Sequence, residues 1–120
     1  MALYKSKFLF VDKSPVHGYG LFTSGFIKKS ELIEECNVFL LKPSDYASDL
    51  FFLSFQSPER QNNFFIPCGY CVTINSSNVP NVYYEFDKNN ILRILAVRDI
   101  GAGEELFLKY PIIQSSETTS

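Results

Sequence analysis

The chain has 120 residues, 46% of them hydrophobic, with 12 Phe, 7 Tyr and a formal net charge of -2. That length and apolar content predict one domain around one core, and the slightly acidic balance excludes the basic face of a nucleic-acid binder while suiting a basic peptide partner. No apolar run reaches membrane-spanning length and residues 1–10 lack the order of a signal peptide, so a soluble, intracellular protein is expected, with neither membrane nor nucleic acid as partner.

Residues 7–12 are apolar enough for a buried strand, which Lys13-Ser14-Pro15 ends in a turn. Gly18-Tyr19-Gly20 leads into Leu21-Phe22. Two glycines around one residue allow a sharp turn or a close backbone approach to a ligand, and a simple tight turn accounts for them as well. Residues 24–29 read as a second turn, followed by a strand pair or one long bent strand over 31–41 that Pro43 closes. Ser44 is placed to cap a short helix, with Asp45 in its first turn, running into the aromatic block Leu50-Phe51-Phe52-Leu53, which fits strand or helix. Residues 56–63 are polar and read as a surface loop, and short strands follow at 64–66 and 71–74, broken by Pro67 and Gly69.

The three cysteines, Cys36, Cys68 and Cys71, are an odd number and argue against a disulfide framework. Cys68-Gly69-Tyr70-Cys71 has the spacing of redox and zinc motifs. A redox pair should open a helix, whereas Val72-Thr73-Ile74 reads as β-branched strand, and a closed zinc site needs four ligands, so structural thiols are expected and no metal.

The stretch from Asn75 through Pro80-Asn81 is polar where a core strand should continue, with Val72 and Ile74 leading in and Tyr83, Tyr84 and Phe86 leading out. Asn, Ser and Pro all favour turns, so a plain connection is one reading and a functional loop the other. Residues 82–86 and 91–97 flank Asp87-Lys88-Asn89-Asn90 as the clearest hairpin. A turn at 99–103 precedes the last strand, 105–110, and residues 114–120 form a Ser/Thr-rich tail. The whole predicts a mostly β domain of small, irregular sheets.

Four of these segments together resemble the SET-domain protein-lysine methyltransferases, and most closely their compact viral members. His17-Gly18-Tyr19-Gly20-Leu21-Phe22 is similar to the family's Gly-x-Gly-Leu-Phe motif, and Ser30-Glu31-Leu32-Ile33 to its Gly-Glu-Leu-Ile strand. Asn75-Ser76-Ser77 with Pro80-Asn81 resembles Asn-His-Ser…Pro-Asn, and Gly103-Glu104-Glu105-Leu106 with Tyr110 resembles Glu-Glu-Leu-Thr-x-x-Tyr. The resemblance spans about 7–110 and implies a SET domain over 1–112 with a flexible tail over 113–120. The implied fold is a β-clip of small curled sheets whose C-terminal segment passes beneath the loop before it as a pseudoknot, bringing Asn75 and Tyr110 to one site.

The implied reaction moves a methyl group from S-adenosylmethionine to a lysine of a protein substrate, a histone tail or another host protein, leaving S-adenosylhomocysteine. By that resemblance Tyr110 is the catalytic residue, Tyr84 and Phe51 line the lysine channel with it, and Gly18, Tyr19, Gly20, Phe51, Asn75 and Ser76 bind the cofactor. Tyr84 reads equally as one of a cross-strand aromatic pair. Ser76 stands where the family has His, Phe51 where it has Tyr, and Asn78 where relatives carry a zinc-binding Cys, so no metal is expected. The lysine channel then needs another wall, and a homodimer is expected from that and from the apolar side chains of 51–55. The differences at Ser76 and Phe51 leave as the main alternative a catalytically weak or inactive SET-like module that binds cofactor or peptide; a third reading is a small β binding protein unrelated to methylation, whose Cys68 and Cys71 hold metal. The place of action expected is the cytoplasm or a host nucleus.

Overall fold

The computed structural model describes residues 3–45, 54–56 and 64–109, and ten short strands carry the fold there. β1 (Leu9–Lys13) and β2 (Tyr19–Thr23) form an antiparallel pair, with Leu9 opposite Thr23 and Lys13 opposite Tyr19. β3 (Leu32–Cys36), β8 (Val82–Phe86) and β9 (Leu92–Ala96) make an antiparallel sheet with β9 in the middle. β4 (Val38–Leu40), β5 (Phe55–Gln56) and β6 (Phe64–Pro67) make another, with β6 in the middle. Finally β7 (Asn75–Ser76) and β10 (Phe107–Leu108) pair in parallel, although more than two dozen residues separate them in sequence.

The core lies where these small sheets face one another. Leu21 comes from β2, Ile33 from β3, Phe55 from β5, Leu92 and Ile94 from β9, and Leu106 and Leu108 from the C-terminal segment, all at most 1% exposed. Each such side chain contributes on the order of 2 kcal/mol of burial, which is why four sheets of two or three strands hold as one unit. The mostly β architecture is as expected, and so is the hairpin. Asp87 Oδ1 accepts from the amides of Asn89 and Ile91, and Asn90 takes φ 62°, a conformation that Asn tolerates.

Several expectations change. β1 is not a buried strand: of its five residues only Leu9 is buried, since beyond Leu9 the strand is exposed on both faces of its two-stranded sheet. Phe10 instead stacks on Phe22 at 5.5 Å. Residues 31–41 break at Asn37, and β3 and β4 enter different sheets. Residues 70–73 form a 3-10 turn where strand was expected, for a tertiary reason: the buried Glu34 carboxylate accepts from the amides of Tyr70 and Cys71, at 2.9 Å each, and so caps the turn. Near Ser44 the structure has a 3-10 turn over Pro43–Asp45, and the rest of the expected helix lies outside the described residues. Phe55 is 1% exposed and packs in the core, so it offers no surface for a homodimer. Among the described residues the last strand is two residues long. No helix among the described residues is long and apolar enough to cross a membrane.

Candidate functional site

Residues 105–108 are held from both sides. On one side the amide of Leu106 donates to the carbonyl of Leu21 at 2.7 Å, and Glu105 bridges Phe22. On the other, β10 lies against β7, and the amide of Ser77 donates to the carbonyl of Leu108 at 2.8 Å. Asn81, 1% exposed, fastens the crossing with its side chain: Nδ2 donates to the Glu105 carbonyl at 2.8 Å and Oδ1 accepts from the Phe107 amide at 2.7 Å. The polar loop that interrupts the core pattern is therefore where the C-terminal segment passes.

At the top of this crossing, the Glu105 carboxylate is 8% exposed as a residue and sits under β2. Its Oε1 accepts from the Ser14 hydroxyl at 2.8 Å and its Oε2 from Asn75 Nδ2 at 2.9 Å. Asn75 Nδ2 also donates to the carbonyls of His17 and Tyr19, at 3.0 and 3.1 Å. Among the described residues none donates to Asn75 Oδ1, which leaves that oxygen as an acceptor. Gly20 explains the second glycine of the motif: a Cβ there would run into Glu105 Oε2. The close approach it permits is to the protein's own carboxylate. Gly18, at φ +51°, makes the turn, and its missing Cβ faces open space.

Of the residues expected at the site, Gly18, Tyr19, Gly20, Asn75 and Ser76 come together on this one edge, with Tyr19 62% exposed and Ser76 exposed. Tyr84 lies on β8 against Phe55, ring centroids 5.0 Å apart, and edge-on to Phe86 at 6.4 Å. Neither ring is its cross-strand partner, which on β9 is Ile94, so Tyr84 packs on an aromatic of another sheet and one of its own strand and makes no cross-strand aromatic pair; burial pushes its phenol up to about 12. Phe51 and Tyr110 lie outside the described residues. Glu105 and Asn81, like the turn residue Ser14 that donates to Glu105, had no assigned role in the sequence. Glu105 and Asn81 stood within recognised motifs, and their signal was an acid and an amide beside positions that a core would fill with apolar groups.

The cysteines divide by environment. Cys36 and Cys71 are buried with their sulfurs 3.7 Å apart, while Cys68 is exposed. The hydrogen bond with Cys36, burial and the Glu34 charge all push the Cys71 thiol up, which makes it a poor nucleophile. Among the described residues no group of three or more His, Cys, Asp or Glu side chains is arranged to hold a metal.

A pseudoknot of this kind, over small curled sheets, defines the SET class of domain. The SET-domain family model matches residues 18–111, and the chain belongs to that family. Comparison with curated protein sequences gives no significant match. Among solved structures the chain is similar to a putative histone methyltransferase of Plasmodium falciparum, with TM-score 0.75 and 28% identity over 89% of this chain and 96% of that one. It is also similar to a chain of a humanized Polycomb Repressive Complex 2 from Chaetomium thermophilum, with TM-score 0.68 and 24% identity over 89% of this chain and 15% of that one. The second likeness is one of fold. Neither structure is viral, so the resemblance to compact viral members rests on the sequence motifs alone.

Proposed function

We propose that the protein is a protein-lysine N-methyltransferase that uses S-adenosylmethionine as methyl donor and a lysine-containing protein, such as a histone tail, as acceptor. The observation that carries this reading is the parallel pairing of Phe107–Leu108 with Asn75–Ser76, since it joins the two motifs from which a SET site is built. Membership of the family and the similarity to a putative histone methyltransferase support it.

The residues present fit the cofactor. The two amide hydrogens of Asn75 are shared among the His17 and Tyr19 carbonyls and Glu105 Oε2, so its Oδ1 is the group left to accept from a ligand, the partner an amino-acid ammonium needs. The exposed edge at Gly18, Tyr19 and Ser76 offers backbone groups beside it. When bound, S-adenosylmethionine supplies an electrophilic methyl group on a positive sulfonium.

A lysine attacks only as the neutral amine, and with a free pKa near 10.4 that form costs about 3 kcal/mol at pH 8. The surroundings that raise the Tyr84 phenol disfavour charge by burial, and an ammonium beside it would be disfavoured in the same way. Tyr84 itself stays neutral at working pH and can hold an amine by hydrogen bond without acting as a base. Tyr110, which follows β10, and Phe51 are assigned by family resemblance, Tyr110 to align amine and methyl, Phe51 to line the channel and touch the cofactor.

Titration calorimetry with S-adenosylmethionine, followed by labelled-methyl transfer into a cell lysate and mass spectrometry of the labelled protein, tests the reading. Binding with transfer to lysine is expected. Binding without transfer would make the protein a cofactor-binding module, and no binding would refute the assignment.

A further inference from the structure

We propose that Glu105 is a positioning residue: its carboxylate clamps the loop of residues 14–20 against Asn75 and so sets the shape of the cofactor edge. This rests on the methyltransferase reading for what the edge binds, but the clamp itself is visible in the protein's own bonds. Glu105 is buried, and each of its oxygens faces a donor, the Ser14 hydroxyl on one and the Asn75 amide on the other.

The chain of bonds extends to the whole loop. Ser14 Oγ gives its hydrogen to Glu105 and accepts from the amides of Val16 and His17, at 3.0 and 3.3 Å. Asn75 gives its hydrogens to Glu105 and to the carbonyls of His17 and Tyr19. Every donor around the carboxylate therefore points at it, and the loop's own polar groups are aligned at one remove. Only an acceptor on both arms completes this arrangement, which a carboxylate provides and an amide does not. The glycine at position 20 belongs to the same device, because any side chain there would take the place of Glu105 Oε2.

Glu105→Gln keeps the volume and tests the need for an acceptor on both arms. Its amide group must face either Asn75 Nδ2, donor against donor, or a Ser14 oxygen whose two lone pairs are already used. The expected result is faster amide hydrogen exchange at Val16 and His17, unchanged exchange in the β8–β9 hairpin, and S-adenosylhomocysteine binding weakened by about tenfold or more in calorimetry. Gly20→Ala, which leaves the carboxylate in the chain but occupies its position, is expected to reproduce both effects. Exchange and affinity equal to wild type in either variant overturns the proposal. So does a Glu105→Gln protein that loosens uniformly or fails to fold, since Glu105 would then support the domain and not the loop. Wild-type protein that binds no S-adenosylhomocysteine refutes the methyltransferase reading instead, and the exchange pattern then decides the clamp by itself.

Discussion

Ser30 stands at φ 71° where the related motif has glycine, and an L side chain in that region carries roughly 1 kcal/mol or more of steric cost. Its amide is held by the Ala96 carbonyl at 2.9 Å, so the backbone is fixed there whatever the side chain. Ser30→Gly is expected to stabilise the protein by about 0.5 kcal/mol, the relief being partly offset by the freer unfolded chain, as read from urea denaturation midpoints. Tyr84 gives a pH signature. Its phenol is raised by burial to about 12 from an ordinary 10, so the unfolded chain ionises first as pH rises. The contribution is whole below pH 10 and is lost toward pH 12, on the order of 2 kcal/mol. Tyr84→Phe should lose less stability than wild type between those values, measured by denaturation at fixed ionic strength.

Among the elements, β3 shows how a charged residue enters the core. The pairing with β9 slips between Leu32 and Glu34, and this irregularity turns both Ile33 and Glu34 inward, 1% and 3% exposed. The carboxylate then caps the 3-10 turn at Tyr70 and Cys71, directly before β7. Glu34→Ala removes two charge-assisted bonds and leaves two amides without their acceptor, and a loss of about 2 to 4 kcal/mol in the unfolding free energy is expected. Here lies the reason residues 71–74 misread as strand. β-branched propensity is a local preference of some tenths of a kcal/mol, and a cap delivered from a distant strand overrides it. The hairpin at 87–90 was legible because its turn bonds are made within four residues of one another.

At the scale of the molecule, the two-residue β10 is held less by its length than by what crosses it. Leu106 and Leu108 are buried below it, and Asn81 bonds both the Glu105 carbonyl and the Phe107 amide. Asn81→Ala would leave a buried donor and acceptor unpaired at once, and is expected to cost about 2 to 3 kcal/mol. It should also weaken S-adenosylhomocysteine binding, because the crossing carries Glu105 and Asn75 together; thermal unfolding with and without that ligand checks both effects.

By itself the sequence determined the strand-rich class, the hairpin, the four motifs and thereby the family, since these depend on side-chain type at short spacing. It also marked the segment 75–81 as out of place in a core, without saying what filled the gap. Tertiary structure decided that the C-terminal segment lies there, that Phe55 is core, that Cys36 and Cys71 share a buried contact, and that Gly20 makes room for the Glu105 carboxylate. Each of these is a contact between residues far apart along the chain. Local patterning leaves such contacts open until the sheets have closed on one another.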